Sequence, residues 1–100
     1  MADVEVLLTA RAEQVIAGLV KGKKADPVRA KKIRKTIEFL ATDPSHPGLS
    51  TDRYEDLDHA FDEKIWESYV EHRTPSAWRI WWFYGPGDDR ITVVDVGPHP

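Results

Sequence analysis

Apolar residues recur along this chain with two periods, and the change from one to the other divides it. At the start VEVLL alternates, Val4, Val6 and Leu8 against Glu5 and Leu7, which predicts a short strand. From Thr9 the spacing becomes helical. Ala12, Val15, Ile16, Leu19 and Val20 share a face, Thr9 is placed to cap free amides, and Gly22 is placed to end the helix after about Val20. Asp26 followed by Pro27 opens a second helix running to about Ala41. Its core face carries Ile33, Ile37, Leu40 and Ala41, while Lys31, Lys32, Arg34 and Lys35 lie elsewhere. DPSHPG, residues 43–48, cannot continue a helix.

Beyond that break the period is two. LSTDRYEDLD supplies a strand with few apolar positions. KIWESYVE and AWRIWWFY, joined by HRTPS, read as a hairpin that holds all four tryptophans, and ITVVDVG follows the turn GPGDDR as a last strand. Alternation sorts the hairpin: Trp66, Ser68 and Val70 fall with Trp78, Ile80, Trp82 and Tyr84 on the mostly uncharged face. Glu67, Tyr69, Arg79 and Trp81 are left together on the other. In the last strand Thr92, Val94 and Val96 alternate against Ile91, Val93 and Asp95. The predicted fold is α+β, an N-terminal helical hairpin packed on one face of a three- to four-stranded, mostly antiparallel sheet. Two helices cover one face of such a sheet, so the other is expected to remain open to a ligand or partner.

Composition narrows the class. One hundred residues suit a single domain with one modest core. Cysteine is absent, no apolar run approaches ~20 residues, and MADVEVLLTA lacks the basic-then-apolar order of a signal peptide, so a cytoplasmic protein with no membrane span is expected. The net charge of −3 argues against a strong nucleic-acid binder, but the charge is segregated. Lys21 to Lys35 holds eight basic residues against one acidic, and Asp52 to Glu71 holds eight acidic against two basic. The basic block is the one electrostatic footprint for a polyanion or an acidic partner. His46, His59 and His72 lack metal-ligand spacing, and there is no glycine-rich phosphate loop, so neither a metal nor a cofactor is expected.

The two leading helices, the DPSHPGLSTDRY segment, the IWES strand, the AWRIWW strand with its single arginine and the terminal VDVGPHP occur here in one order. In that order the chain resembles the RelE/ParE superfamily of toxins from bacterial type II toxin–antitoxin systems, over essentially its whole length. The resemblance implies a toxin neutralised by a cognate antitoxin. It leaves two activities open: RelE-like members cut mRNA in the ribosomal A site without a metal, and ParE-like members poison DNA gyrase by binding. A degenerate member that only binds its antitoxin is a third reading.

Metal-free RNA cleavage needs a proton acceptor, a proton donor and fixed positive charge at the phosphate. Arg79 suits the charge, because guanidinium stays protonated and grips phosphate through two hydrogen bonds, and the resemblance places an arginine in this strand; the alternative is an ion pair with Glu67. His99 falls where the resemblance implies a catalytic arginine or histidine, and imidazole serves as acid or base near neutrality. Glu67 is a base or a support for either group. Arg53 is the one basic residue where RelE-like members carry lysines, and is assigned to steering. Tyr69, Trp81, Phe83 and Tyr54 are candidates for stacking on a base, against the alternative of ordinary strand packing. Lys31, Lys32 and Lys35 are candidates for docking on nucleic acid or receiving an acidic antitoxin segment. The expected partners are therefore an antitoxin with either ribosome and mRNA or DNA gyrase.

Overall fold

The computed structural model describes residues 4–100. Strand β1 (Glu5–Leu8) leads into helices α1 (Ala10–Lys21) and α2 (Pro27–Thr42). A single 3-10 turn precedes the two-residue strand β2 (Asp52–Arg53); a second, Glu55–Leu57, runs into the one-turn helix α3 (Asp58–Phe61). Strands β3 (Trp66–Tyr69), β4 (Trp78–Tyr84) and β5 (Arg90–Pro98) complete the chain. The sheet has five strands in the order β1-β5-β4-β3-β2, one more than expected. All its pairs are antiparallel except β1 with β5, which is parallel.

Local chemistry sets the helix ends. Thr9 Oγ1 accepts from the Ala12 amide and donates to the Val94 carbonyl at 2.9 Å, so one hydroxyl caps α1 and fastens it to β5. Asp26 accepts from the Arg29 amide at 3.0 Å, with Pro27 in the first turn of α2. The helices bring Ala12, Leu19, Ala30, Ile33 and Leu40 onto a sheet face built from Val70, Ile80, Trp82, Ile91, Val93 and Val96. Trp82 is fully buried there, and its Nε1–H donates to Ser68 Oγ at 2.8 Å, so the indole loses no hydrogen bond on burial.

Two expectations are corrected. The alternation predicted for β5 fails at Val94. Trp81 pairs with Asp95 but Trp82 with Val93, a bulge that leaves Val94 as an extra residue. Val96 consequently joins Ile91 and Val93 in the main core, while Val94 turns to the other face.

That other face is also less open than expected. LSTDRYEDLD forms a strand over only two residues; the rest folds back so that Tyr54 and Leu57 cover a second small core of Ile65, Trp81 and Val94. The fold-back is clipped by Asp58, which takes two hydrogen bonds from the Arg53 guanidinium and one from the Ile65 amide at 2.7 Å.

The clip is pH-sensitive. The Arg53 guanidinium, then the Ile65 amide, lower the Asp58 carboxyl from 3.8 to about 2. A carboxyl depressed in the folded state adds stability above its unfolded value, and that increment is lost as pH falls through the folded one. Urea midpoints of the wild type and of Asp58→Asn are therefore expected to differ at neutral pH and to converge between about pH 4 and pH 2. A gap of constant size across that range would show that the carboxylate does not carry the clip. Truncating the buried indole, Trp82→Ala, is expected to cost about 3–5 kcal/mol in the same assay.

Candidate active site

The β3–β4 ladder places Glu67 opposite Trp81 and Tyr69 opposite Arg79, so all four side chains emerge on the face away from the helices. Glu67 Oε2 accepts from Trp81 Nε1 at 2.9 Å. The second oxygen, Oε1, faces Arg79 Nε at 3.7 Å and His99 Nε2 at 3.8 Å. Both separations suit ion pairing and exceed hydrogen-bond length. One carboxylate oxygen thus lies within 4.0 Å of both the guanidinium and the imidazole.

The guanidinium and the imidazole are gathered by one backbone atom. Arg79 Nη1 and the His99 amide both donate to the Ala77 carbonyl, at 2.9 and 3.0 Å. The Arg79 guanidinium lies 3.6 Å above the Tyr69 ring, which fixes its plane. Its Nε–H is buried without a hydrogen-bond partner, alone in this among the side-chain polar atoms of the described residues. Glu67 and Arg79 side chains are each 11% exposed, whereas His99 is 45% exposed, so the imidazole is the member of the group that solvent or a substrate meets first.

Of the predicted residues, Arg79, His99, Glu67, Tyr69 and Trp81 are brought together. Tyr54 packs against Trp81, ring centroids 5.8 Å apart, and burial, followed by the charges of Asp56 and Glu67, pushes its phenol up. Phe83 packs against the second core.

Arg53 is not brought to the site. It pairs with Trp66, stacks on that ring at 5.5 Å and is held by Asp58, on the helix side of the sheet. The structure therefore places Arg53, assigned to steering in the sequence, apart from Glu67, Arg79 and His99. An acid five residues away at Asp58 was the signal for this pairing, but the spacing matches no regular element.

Lys32 and Lys35 line a separate groove of ≈ 310 Å³ with Tyr69, Glu71 and His72. Lys31 is exposed and lies outside that groove. The neighbouring Arg29 is engaged by Glu71 at 3.0 Å and lies over Trp78. Burial pushes the Glu71 carboxyl up, but the hydrogen bonds from Arg29 and the Trp78 amide outweigh it, and the group titrates below its ordinary value. The Ala77 carbonyl, central to the arrangement, carries no side-chain signature.

Trp81→Phe keeps an aromatic ring and deletes the donor, leaving Glu67 Oε2 buried without its hydrogen bond. The expected loss of stability is about 1–3 kcal/mol by urea unfolding. A change within error would show that the carboxylate is held by other means.

No protein-family model and no curated protein matches this sequence. Solved structures do resemble its fold. A YoeB/ParE toxin from Agrobacterium tumefaciens superposes with a TM-score of 0.71 at 12% identity, covering 96% of this chain and 99% of that one. The archaeal RelE–RelB complex from Pyrococcus horikoshii OT3 gives 0.66 at 8% identity over 95% and 93% of the two chains. The YoeB dimer from Staphylococcus aureus gives 0.64 at 11% identity over 97% and 98%. With its helical hairpin, its five-stranded sheet and near-complete coverage of each neighbour, the chain has the fold of the YoeB, ParE and RelE toxins.

Proposed function

We propose that this chain is the toxin of a bacterial type II toxin–antitoxin system and that it stops translation in the cytoplasm by cutting ribosome-bound mRNA. The observation that carries the reading is the Glu67 Oε1 atom standing between Arg79 and His99. In this mechanism Glu67 takes the proton of a ribose 2′-hydroxyl as that oxygen attacks the adjacent phosphorus. Arg79 meets the charge that gathers on the phosphoryl oxygens. Protonated His99 delivers a proton to the departing 5′-oxygen, so a 2′,3′-cyclic phosphate and a 5′-hydroxyl result. Trp81 holds Glu67 in place, and Tyr69 holds the plane of Arg79. The Pyrococcus horikoshii neighbour was solved as a RelE–RelB complex, which supports a protein partner, here a cognate antitoxin.

A ParE-like gyrase inhibitor is the second reading. It is favoured by the burial of Arg79 and by the engagement of Arg53 with Asp58, which leaves no second cation of the 49–58 segment at the site.

A translation reaction with purified protein, its mRNA ends mapped by primer extension, separates the two. Wild type is expected to make ribosome-dependent cuts, and Arg79→Ala, His99→Ala and Glu67→Gln each to lower them by about 10²-fold or more. Intact mRNA at every dose of wild type, together with inhibition of gyrase supercoiling, would replace the nuclease with the inhibitor.

A further inference from the structure

The connection from β3 to β4 holds two residues in the left-handed region, Arg73 with φ 65° and Ser76 with φ 56°. Neither is a glycine, so the backbone is strained at both, and residues 72–76 are exposed to solvent. Ala77, the next residue, is buried. A strained, solvated loop has little preference of its own for one orientation of the Ala77–Trp78 peptide. That orientation is set by contacts from outside the loop.

Both polar groups of this peptide are engaged. Its carbonyl takes Arg79 Nη1–H and the His99 amide, at 2.9 and 3.0 Å. Its N–H, on Trp78, donates to the side chain of Glu71, at 3.1 Å from Oε1. The C=O and N–H of a trans peptide point opposite ways in one rigid plane, so a grip on the N–H sets the direction of the carbonyl. Glu71 is itself held. Arg29 of α2 donates Nε–H to Oε2 at 3.0 Å and Nη2–H to Oε1 at 3.4 Å, and its guanidinium lies 4.7 Å over the Trp78 ring. Asp26, which caps α2, faces Arg29 Nη1 at 3.4 Å. The Glu71 side chain is 12% exposed, and both its oxygens are used. A chain of contacts thus runs from α2 through Arg29 and Glu71 to the peptide that seats Arg79 and His99. No hydrogen bond or ion pair among the described residues joins Arg29 or Glu71 directly to Glu67, Arg79 or His99.

We propose that Glu71, clasped by Arg29, is a positioning residue of the candidate active site: by holding the Trp78 N–H it aims the Ala77 carbonyl, and so sets where Arg79 and His99 stand relative to Glu67. This deepens the nuclease reading and rests on it for the effect on cutting, whereas the effect on the peptide stands without it. Loss of Glu71 frees the peptide to rotate. The guanidinium and the backbone of His99 then lose their common seat, while Glu67 keeps its bond from Trp81.

Amide hydrogen exchange on the full chain reads the arrangement without relying on activity. In Glu71→Ala the Trp78 and His99 amides are expected to exchange about tenfold faster. The Gly85 amide, which donates to the Arg90 carbonyl at the other end of the β4–β5 ladder, is expected to keep its wild-type rate. Glu71→Gln retains an acceptor for the Trp78 amide and is expected to hold His99 within about twofold of wild type. Arg29→Met keeps a stem over Trp78 and releases the carboxylate; it is expected to speed both amides about threefold, and it serves as the test should Glu71→Ala not fold. An unchanged His99 amide, or a Gly85 amide accelerated as much as His99, overturns the proposal and leaves the pair a stabilising contact. In the translation reaction Glu71→Ala is expected to lower kcat about tenfold with KM within about twofold of wild type. A raised KM at unchanged kcat overturns its role in placing the reacting groups. Intact mRNA with wild type, alongside the change at His99, removes the nuclease and retains the positioned peptide, whereas wild-type cutting with His99 unmoved does the reverse.

Discussion

Two consecutive tryptophans clamp β4 to β3 from opposite faces, and both the core and the site depend on that clamp. Trp82 Nε1 donates to Ser68 on the helix side, while Trp81 Nε1 donates to Glu67 on the reverse side. Neighbouring strand residues point to opposite faces, so the pair inevitably divides between two environments. On the helix side the acceptor is a small hydroxyl, itself bonded to Thr51, and the result is a closed apolar core. On the reverse side the acceptor is a carboxylate with a second oxygen to place, and that oxygen creates the site.

Burying that oxygen carries an electrostatic penalty that Trp81 alone cannot offset. A carboxylate removed from water needs a cation, and Arg79 supplies one from the adjacent strand, two residues before Trp81. The geometry leaves the pair loose, at 3.7 Å with the Arg79 Nε–H unpartnered. Leaving a buried donor unmade is costly, so the site is more strained electrostatically without a ligand than with an anion that accepts from it. A tighter ion pair would satisfy that donor and give a more stable sheet.

The features legible in the sequence are those that depend on neighbours within a few residues. Thr9 and Asp26 cap their helices because a cap acts over two or three residues, and Glu67, Tyr69, Arg79 and Trp81 share a face because strand alternation is local. The bulge at Val94 was not legible, since it exists only in relation to β4, and no alternation within ITVVDVG reveals a partner's register. Nor was the parallel pairing of β1 with β5, whose partners stand 85 residues apart at Glu5 and Arg90. His99 was proposed from resemblance; what seats it is a backbone bond to Ala77, which any residue at position 99 except proline could make. The fold-back of residues 54–61 escaped because two apolar side chains, Tyr54 and Leu57, suffice to hold it once Arg53 and Asp58 pair.

That fold-back changes the meaning of the acidic half of the chain. As a tally, Asp52 to Glu71 would repel any polyanion, yet three of its acids, Asp58, Glu67 and Glu71, face arginines 53, 79 and 29. Their charge is matched locally and contributes little at a distance. Two of the unpaired acids, Asp62 and Glu63, line with Lys64 a hollow beside α3, around Trp66 and Tyr84 and on the opposite side of the sheet from Glu67. Lys32 and Lys35, two of the cations without an ion pair among the described residues, line with Glu71 the groove that reaches Tyr69, on which Arg79 rests. The segregation of charge read in the sequence is thus kept in the fold, as a lysine-lined groove along α2 and a partly acidic hollow beside α3.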